Sequence, residues 1–106
     1  MEVTYVSADE GEWLPSPDGV GRYRILRLHE AGGVTIEVAM EAGTEGDLHR
    51  HPGGEELVMV SGVIEVGGVT LGPGDYLFTP PGATHRACAR SDARFVLFLP
   101  AVPEYL

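Results

Sequence analysis

His49 and His51 flank Arg50 in a stretch that reads as extended backbone. Side chains on an extended chain alternate between faces, so residues two apart point the same way and both imidazoles can address one point. Glu55 follows His51 by four residues with the same parity, and Pro52-Gly53-Gly54 between them lets the chain bend back. Two imidazoles and one carboxylate are a ligand set for non-haem Fe(II), Mn(II) or Zn(II). Binding requires neutral histidine and ionised glutamate, both available near neutral pH. A fourth ligand has to come from elsewhere in the fold, and His85 is the candidate. It follows Pro80-Pro81-Gly82-Ala83-Thr84, a tight turn that sets the direction in which the next strand starts.

Other reactive side chains read as structural. Glu56 has the opposite parity to Glu55 and is expected to be an outward charge. His29 lies beside a glycine-rich turn and reads as an exposed loop residue. Cys88 is three residues past His85, so on a strand it faces away from the cluster and reads as a small buried hydrophobe. Tyr23, Met40, Met59, Tyr76 and Phe78 are expected in the core, with Leu57 and Met59 turned inward by the parity of Glu55. Arg22, Arg24 and Arg27 read as a solvated strand face rather than a carboxylate clamp. Ser61 stands in Val-Ser-Gly, not in a nucleophile turn. No catalytic residue stands out beyond the candidate ligands.

The elements that must position these groups are short. From Arg22 onward the chain alternates apolar runs with Gly and Pro, predicting strands at Arg22–His29, Val34–Met40, Leu57–Val60, Val63–Val66, Val69–Leu71, Tyr76–Thr79, His85–Ala89 and Phe95–Leu99. Gly67-Gly68 supplies two residues free to take positive φ, as a tight hairpin requires. Glu30-Ala31-Gly32-Gly33 can close a looser hairpin, and Pro81-Gly82 fits the centre of a type II turn. No breaker-free amphipathic segment is long enough for a convincing helix. Many short strands at regular spacing predict an antiparallel all-β sandwich or barrel.

Composition narrows the chemistry. The chain has 106 residues, room for one domain, and a formal net charge of −9. All seven basic residues are arginine, and Lys, Asn and Gln are absent. Without lysine there is no Schiff-base chemistry and no P-loop. A sequence pI near 4.7 argues against nucleic acid as a partner. The single cysteine cannot close an internal disulfide, which points to a reducing compartment, and a cytoplasmic location is expected. Met1–Tyr5 has no signal-peptide pattern. No apolar stretch approaches the ~18 residues of a membrane span, so no membrane partner is expected.

Two spacings carry a family resemblance. Gly43, His49, His51, Glu55 and Gly62, with gaps of five, one, three and six residues, resemble the first characteristic motif of the cupin superfamily. Gly74, Pro80, Gly82 and His85, with gaps of five, one and two, resemble the second. The motifs run from Gly43 to about Ala89, nearly half of the chain. The resemblance implies one cupin-type β-barrel over residues 1–106, a jelly-roll-like double-stranded β-helix of two packed antiparallel sheets. It also implies a divalent metal held by His49, His51, Glu55 and His85. One departure is Ala89, where cupins often carry asparagine. The stretch His49–Glu56 is similar to the cupin domain of certain zinc-binding anti-sigma factors and related dioxygenase-like proteins. The sigma-binding role belongs to a separate domain there and is not carried over.

The expected function is that of a metal-dependent dioxygenase-like oxidoreductase acting on a small enolisable or phenolic compound. Alternatives in the same barrel are a non-redox isomerase or lyase, or a non-catalytic metal or small-ligand sensor. The donor set does not distinguish Fe, Mn, Zn and Ni. A homodimer is expected, because a single small barrel has strand edges to cover. Val58 and Val60, outward by parity, are candidates for that contact or for a packed second layer.

Overall fold

Residues 2–106 are described by a computed structural model. Among the described residues every regular element is a strand. These are β1 (Leu14–Pro15), β2 (Arg22–Leu28), β3 (Val34–Met40), β4 (His49–Arg50), β5 (Glu55–Ser61), β6 (Ile64–Val66), β7 (Val69–Leu71), β8 (Tyr76–Thr79), β9 (Thr84–His85), β10 (Ala87–Ala89), β11 (Ala93–Leu99) and β12 (Glu104–Tyr105). They form a six-stranded sheet in the order β1-β2-β3-β11-β5-β8 and two three-stranded sheets, β10-β6-β7 and β12-β4-β9. All pairings are antiparallel. The fold is all-β and built of packed antiparallel sheets, as the sequence predicts.

The core lies between the six-stranded sheet and the β10-β6-β7 sheet. Met40, Leu57, Met59, Phe95 and Leu97 come from the first, and Ile64, Val66, Leu71 and Ala89 from the second. Along β5 burial alternates as parity requires: Glu55, Leu57 and Met59 are buried, while Glu56 and Val60 are exposed and Val58 is half-buried. The β6–β7 hairpin turns through Gly67 and Gly68, both at positive φ. The expected Pro81-Gly82 turn is present, with Gly82 at φ 86° and a hydrogen bond from Ala83 N–H to Pro80 O of 3.2 Å.

The structure corrects several readings. The segment His85–Ala89 is not one strand: β9 and β10 belong to different sheets and Arg86 stands between them. Tyr76 and Phe78 are not core residues but lie on the outer face of β8, each 55 % exposed. Their register places them beside Val58 and Glu56, which lie on the outward face of β5. Arg24 is not solvated. It is buried on the outer face of β2 opposite Glu37, to which its Nε–H donates at 2.8 Å. Its Nη1 donates to the carbonyls of Ser7 and Glu10 at 2.8 and 2.6 Å, which ties the N-terminal segment over the sheet. Arg94 completes the pairing of Glu37 at 2.9 Å. Trp13 caps the group, its ring 5.6–5.8 Å from the guanidinium carbons of Arg22, Arg24 and Arg94. His29 is half-buried and bonds the Thr35 hydroxyl at 2.7 Å.

Candidate metal centre

Strand pairing brings the four candidate ligands together. In the β12-β4-β9 sheet, His49 lies opposite His85 on one side and Tyr105 on the other. His51 continues from β4 and is pinned by its backbone. Its N–H donates to Ala83 O at 3.1 Å, and its carbonyl accepts from Gly54 and Gly82 at 3.1 and 2.8 Å. Gly54 turns the chain back at φ 79°, where a Cβ would sit 2.9 Å from the Thr79 carbonyl oxygen. Only glycine lets the chain pass this close, and the turn delivers Glu55 to the first position of β5 opposite Thr79.

One ligand atom from each of His49, His51, Glu55 and His85 lies within 4.8 Å of the others. Nε2 of His51 is 2.9 Å from Nε2 of His85 and 2.9 Å from Oε2 of Glu55. The other Glu55 oxygen is 3.7 Å from His85 Nε2. Lone pairs facing one another at this distance need a positive centre among them, either shared protons or a cation. With metal–nitrogen bonds of ~2.1 Å, ligands at right angles are about 3.0 Å apart, so the observed spacing fits a first-row ion. The three rings stand edge to face, with centroids 4.6–4.8 Å apart.

The outer ring nitrogens support the same assignment. His49 Nδ1–H donates to the Asp47 carbonyl at 2.9 Å, which leaves the Nε2 lone pair free to bind. His85 Nδ1 faces the Thr79 hydroxyl at 3.4 Å. His51 Nδ1 is buried without a partner in either tautomer. Such an orphan costs about 1–3 kcal/mol, which ligation through Nε2 can offset. Burial lowers the His85 pKa to about 4, against the pull of Glu55 and with help from His51 and His49, so its imidazole is neutral at pH 7. The residues present fit a divalent ion.

Cys88 lies on β10, half-buried, bridged to Glu45 and paired with Glu65. Burial, then Glu45 and Glu65, pushes its thiol pKa up. It is not part of the cluster. Sequence reading missed Tyr105, whose ring packs 5.3 Å from that of His49, and Asp18, whose carboxylate accepts from the backbone N–H of Val20 and Asp47. Neither lies in a motif, and only long-range pairing places them here. The cluster opens into a cavity of about 610 Å³ that also reaches Tyr23, Val38, Phe95 and Leu97.

Solved structures share this fold. A candidate acetylacetone dioxygenase from Methylibium petroleiphilum superposes with a TM-score of 0.87 at 21 % identity, covering 100 % of this chain and 82 % of that one. An acetylacetone dioxygenase from Acinetobacter johnsonii gives 0.79 at 23 %, covering 93 % and 75 %. A chain of the Rhodobacter sphaeroides complex of SigE with the anti-sigma ChrR gives 0.76 at 19 %, covering 88 % of this chain and 51 % of that one. No curated protein matches. The family model of the ChrR cupin-like domain matches residues 1–103, and the chain belongs to that family.

Proposed function

We propose that His49, His51, Glu55 and His85 bind one divalent transition metal and that the protein is a dioxygenase-like oxidoreductase acting on a small enolisable or phenolic compound. The observation that carries the reading is the convergence of the half-buried His49 with the buried His51, Glu55 and His85 in an apolar cavity. The two acetylacetone dioxygenase folds support it. When bound, a redox-active ion would supply Lewis acidity toward an enolate oxygen and a site for O₂. The chain's own residues do the positioning. Asp47 holds the His49 ring through its carbonyl, Thr79 faces the back of His85, and Glu55 places one carboxylate among three imidazoles. The cavity walls present apolar surface to a substrate seated at the cluster. The whole of residues 1–106 is read as one cupin domain working as a homodimer in the cytoplasm.

Metal analysis of protein purified without chelator, with His51→Ala alongside, tests the centre. Near-stoichiometric Fe or Mn that is lost in the variant, with O₂ uptake on a panel of β-diketones and phenols, is the expected result. Stoichiometric metal with no O₂ uptake would overturn the oxidoreductase reading. The fold similarity to the anti-sigma complex favours a metal or ligand sensor as the second reading. Ligand retention without turnover would support it.

A further inference from the structure

The inner face of the six-stranded sheet continues away from Glu55 as hydrocarbon. Leu57 lies two residues along β5 from Glu55. Leu97 on β11 is opposite Leu57, Ile36 on β3 is opposite Leu97, and Ile25 on β2 is opposite Ile36. A second row runs Leu99–Val34–Leu28 across the same strands. From β5 to β2 is three strand spacings, roughly 14 Å.

The far end of this wall is apolar too. Ile25 is 43 %, Leu28 69 % and Val102 73 % exposed, yet all three line the cavity. A β-bulge between Ile25 and Arg27 is what turns Ile25 and Leu28 to the same side, although their spacing of three residues would place them on opposite faces of a regular strand. Large side chains held open at a cavity rim are surface that a ligand can cover.

Charge selects against one class of ligand. Among the described residues no arginine lines the cavity, and the chain has no lysine. Its acidic lining groups are Asp18 and Glu55. Apart from Glu55, the polar side-chain atom on the sheet wall is the Tyr23 hydroxyl. An anionic group carried along this wall would lose water and gain no counter-ion.

We infer that the ligand is an amphiphile, with an oxygen head at the donor cluster and an uncharged hydrocarbon tail laid along Leu57, Leu97 and Ile36 toward the Ile25–Leu28–Val102 rim. The head rests on the metal-centre reading above; the tail does not. Selection by the tail comes from burial of methylenes, each worth about 0.8 kcal/mol, or roughly a fourfold change in Kd.

The test is calorimetric titration of the full chain, Zn-loaded and metal-free. The probes are acetylacetone, its homologues lengthened at one end up to a hexyl chain, and the hexyl homologue carrying a terminal carboxylate. Kd is expected to fall about fourfold per methylene over the first few additions in both forms. The terminal carboxylate is expected to cancel that gain. The exposed rim pair Leu28→Ser with Val102→Ser is expected to weaken the hexyl homologue several-fold and leave acetylacetone unchanged. Affinity that is flat along the series, a carboxylate homologue that binds as tightly, or no binding by any homologue in either form would overturn the proposal. If metal loading leaves every Kd unchanged while the methylene increment persists, the metal-centre reading fails and the tail proposal stands.

Discussion

At the scale of single residues, the centre is a balance between burial and charge. Glu55 is the one carboxylate of the cluster and is itself buried. Replacing it with the neutral isostere, Glu55→Gln, should weaken metal binding by more than the ~10–100-fold that follows loss of a hydrogen-bonded partner behind a ligand. Competition against a chelating dye measures this. His85 makes a pH prediction. Its pKa is lowered from 6.5 to about 4, first by burial. In the unfolded chain it takes up a proton near pH 6.5, while in the folded, metal-free protein it resists until about pH 4. The unfolded state therefore binds more protons in this window, and stability falls as pH falls. The contribution is whole above about pH 6.5 and lost by about pH 4. Urea midpoints of the metal-free protein across this range should drop more steeply than those of His85→Gln.

At the scale of elements, two devices hold the sheet in register. Gly62 follows β5 at φ 76°, and a Cβ there would lie 2.0 Å from the Asp92 carbonyl oxygen and 2.7 Å from Ala93 Cα. Both obstacles are backbone and cannot swing away. Gly62→Ala should cost well over the ~1–2 kcal/mol of left-handed strain alone. Gly67→Ala, with nothing within 4 Å of its Cβ, should cost only about that strain. Comparing the two by denaturant unfolding separates strain from clash. The second device is Glu37, buried between Arg24 and Arg94. Glu37→Ala leaves Arg24 buried without its carboxylate and should destabilise by about 3–5 kcal/mol. The same change should release Trp13, seen as altered fluorescence before global unfolding. Alternation along β3 turns Glu37 to the face opposite Ile36 and Val38. It could not show that Ser7, Glu10 and Trp13 return to cover that face, because nothing local to β3 encodes the return.

At the scale of the whole molecule, the outer face of β5, β8 and β11 carries Val60, Tyr76, Phe78 and Phe98, all exposed. The strand β8 ends its sheet with one edge unpaired. An exposed apolar face beside a free edge is the surface that a second copy would cover. Phe78→Glu should convert a dimer to a monomer in sedimentation velocity while leaving metal content unchanged. A wild-type monomer would refute the homodimer.

The cluster of His49, His51, Glu55 and His85 was legible in the chain, the first three by local spacing and His85 by the second motif. His49 and His51 share parity, Pro52-Gly53-Gly54 permits the bend, and the Pro81-Gly82 turn sets up His85. The strands Val34–Met40, Val69–Leu71 and Tyr76–Thr79 were read to the residue, since each is bounded on at least one side by Gly or Pro. Tertiary structure decided the rest. Which face of β8 meets solvent depends on its register against β5, so Tyr76 and Phe78 read alike as core or surface until that pairing is known. Arg24 became buried through contacts 13–17 residues away in sequence. The break at Arg86 arises because His85 and Ala87 must serve two different sheets. Tyr105 joins His49 only through a pairing that spans the distance from β4 to β12. Periodicity and turn chemistry act over a few residues, whereas burial and cavity shape are set by strand order, which those local signals do not contain.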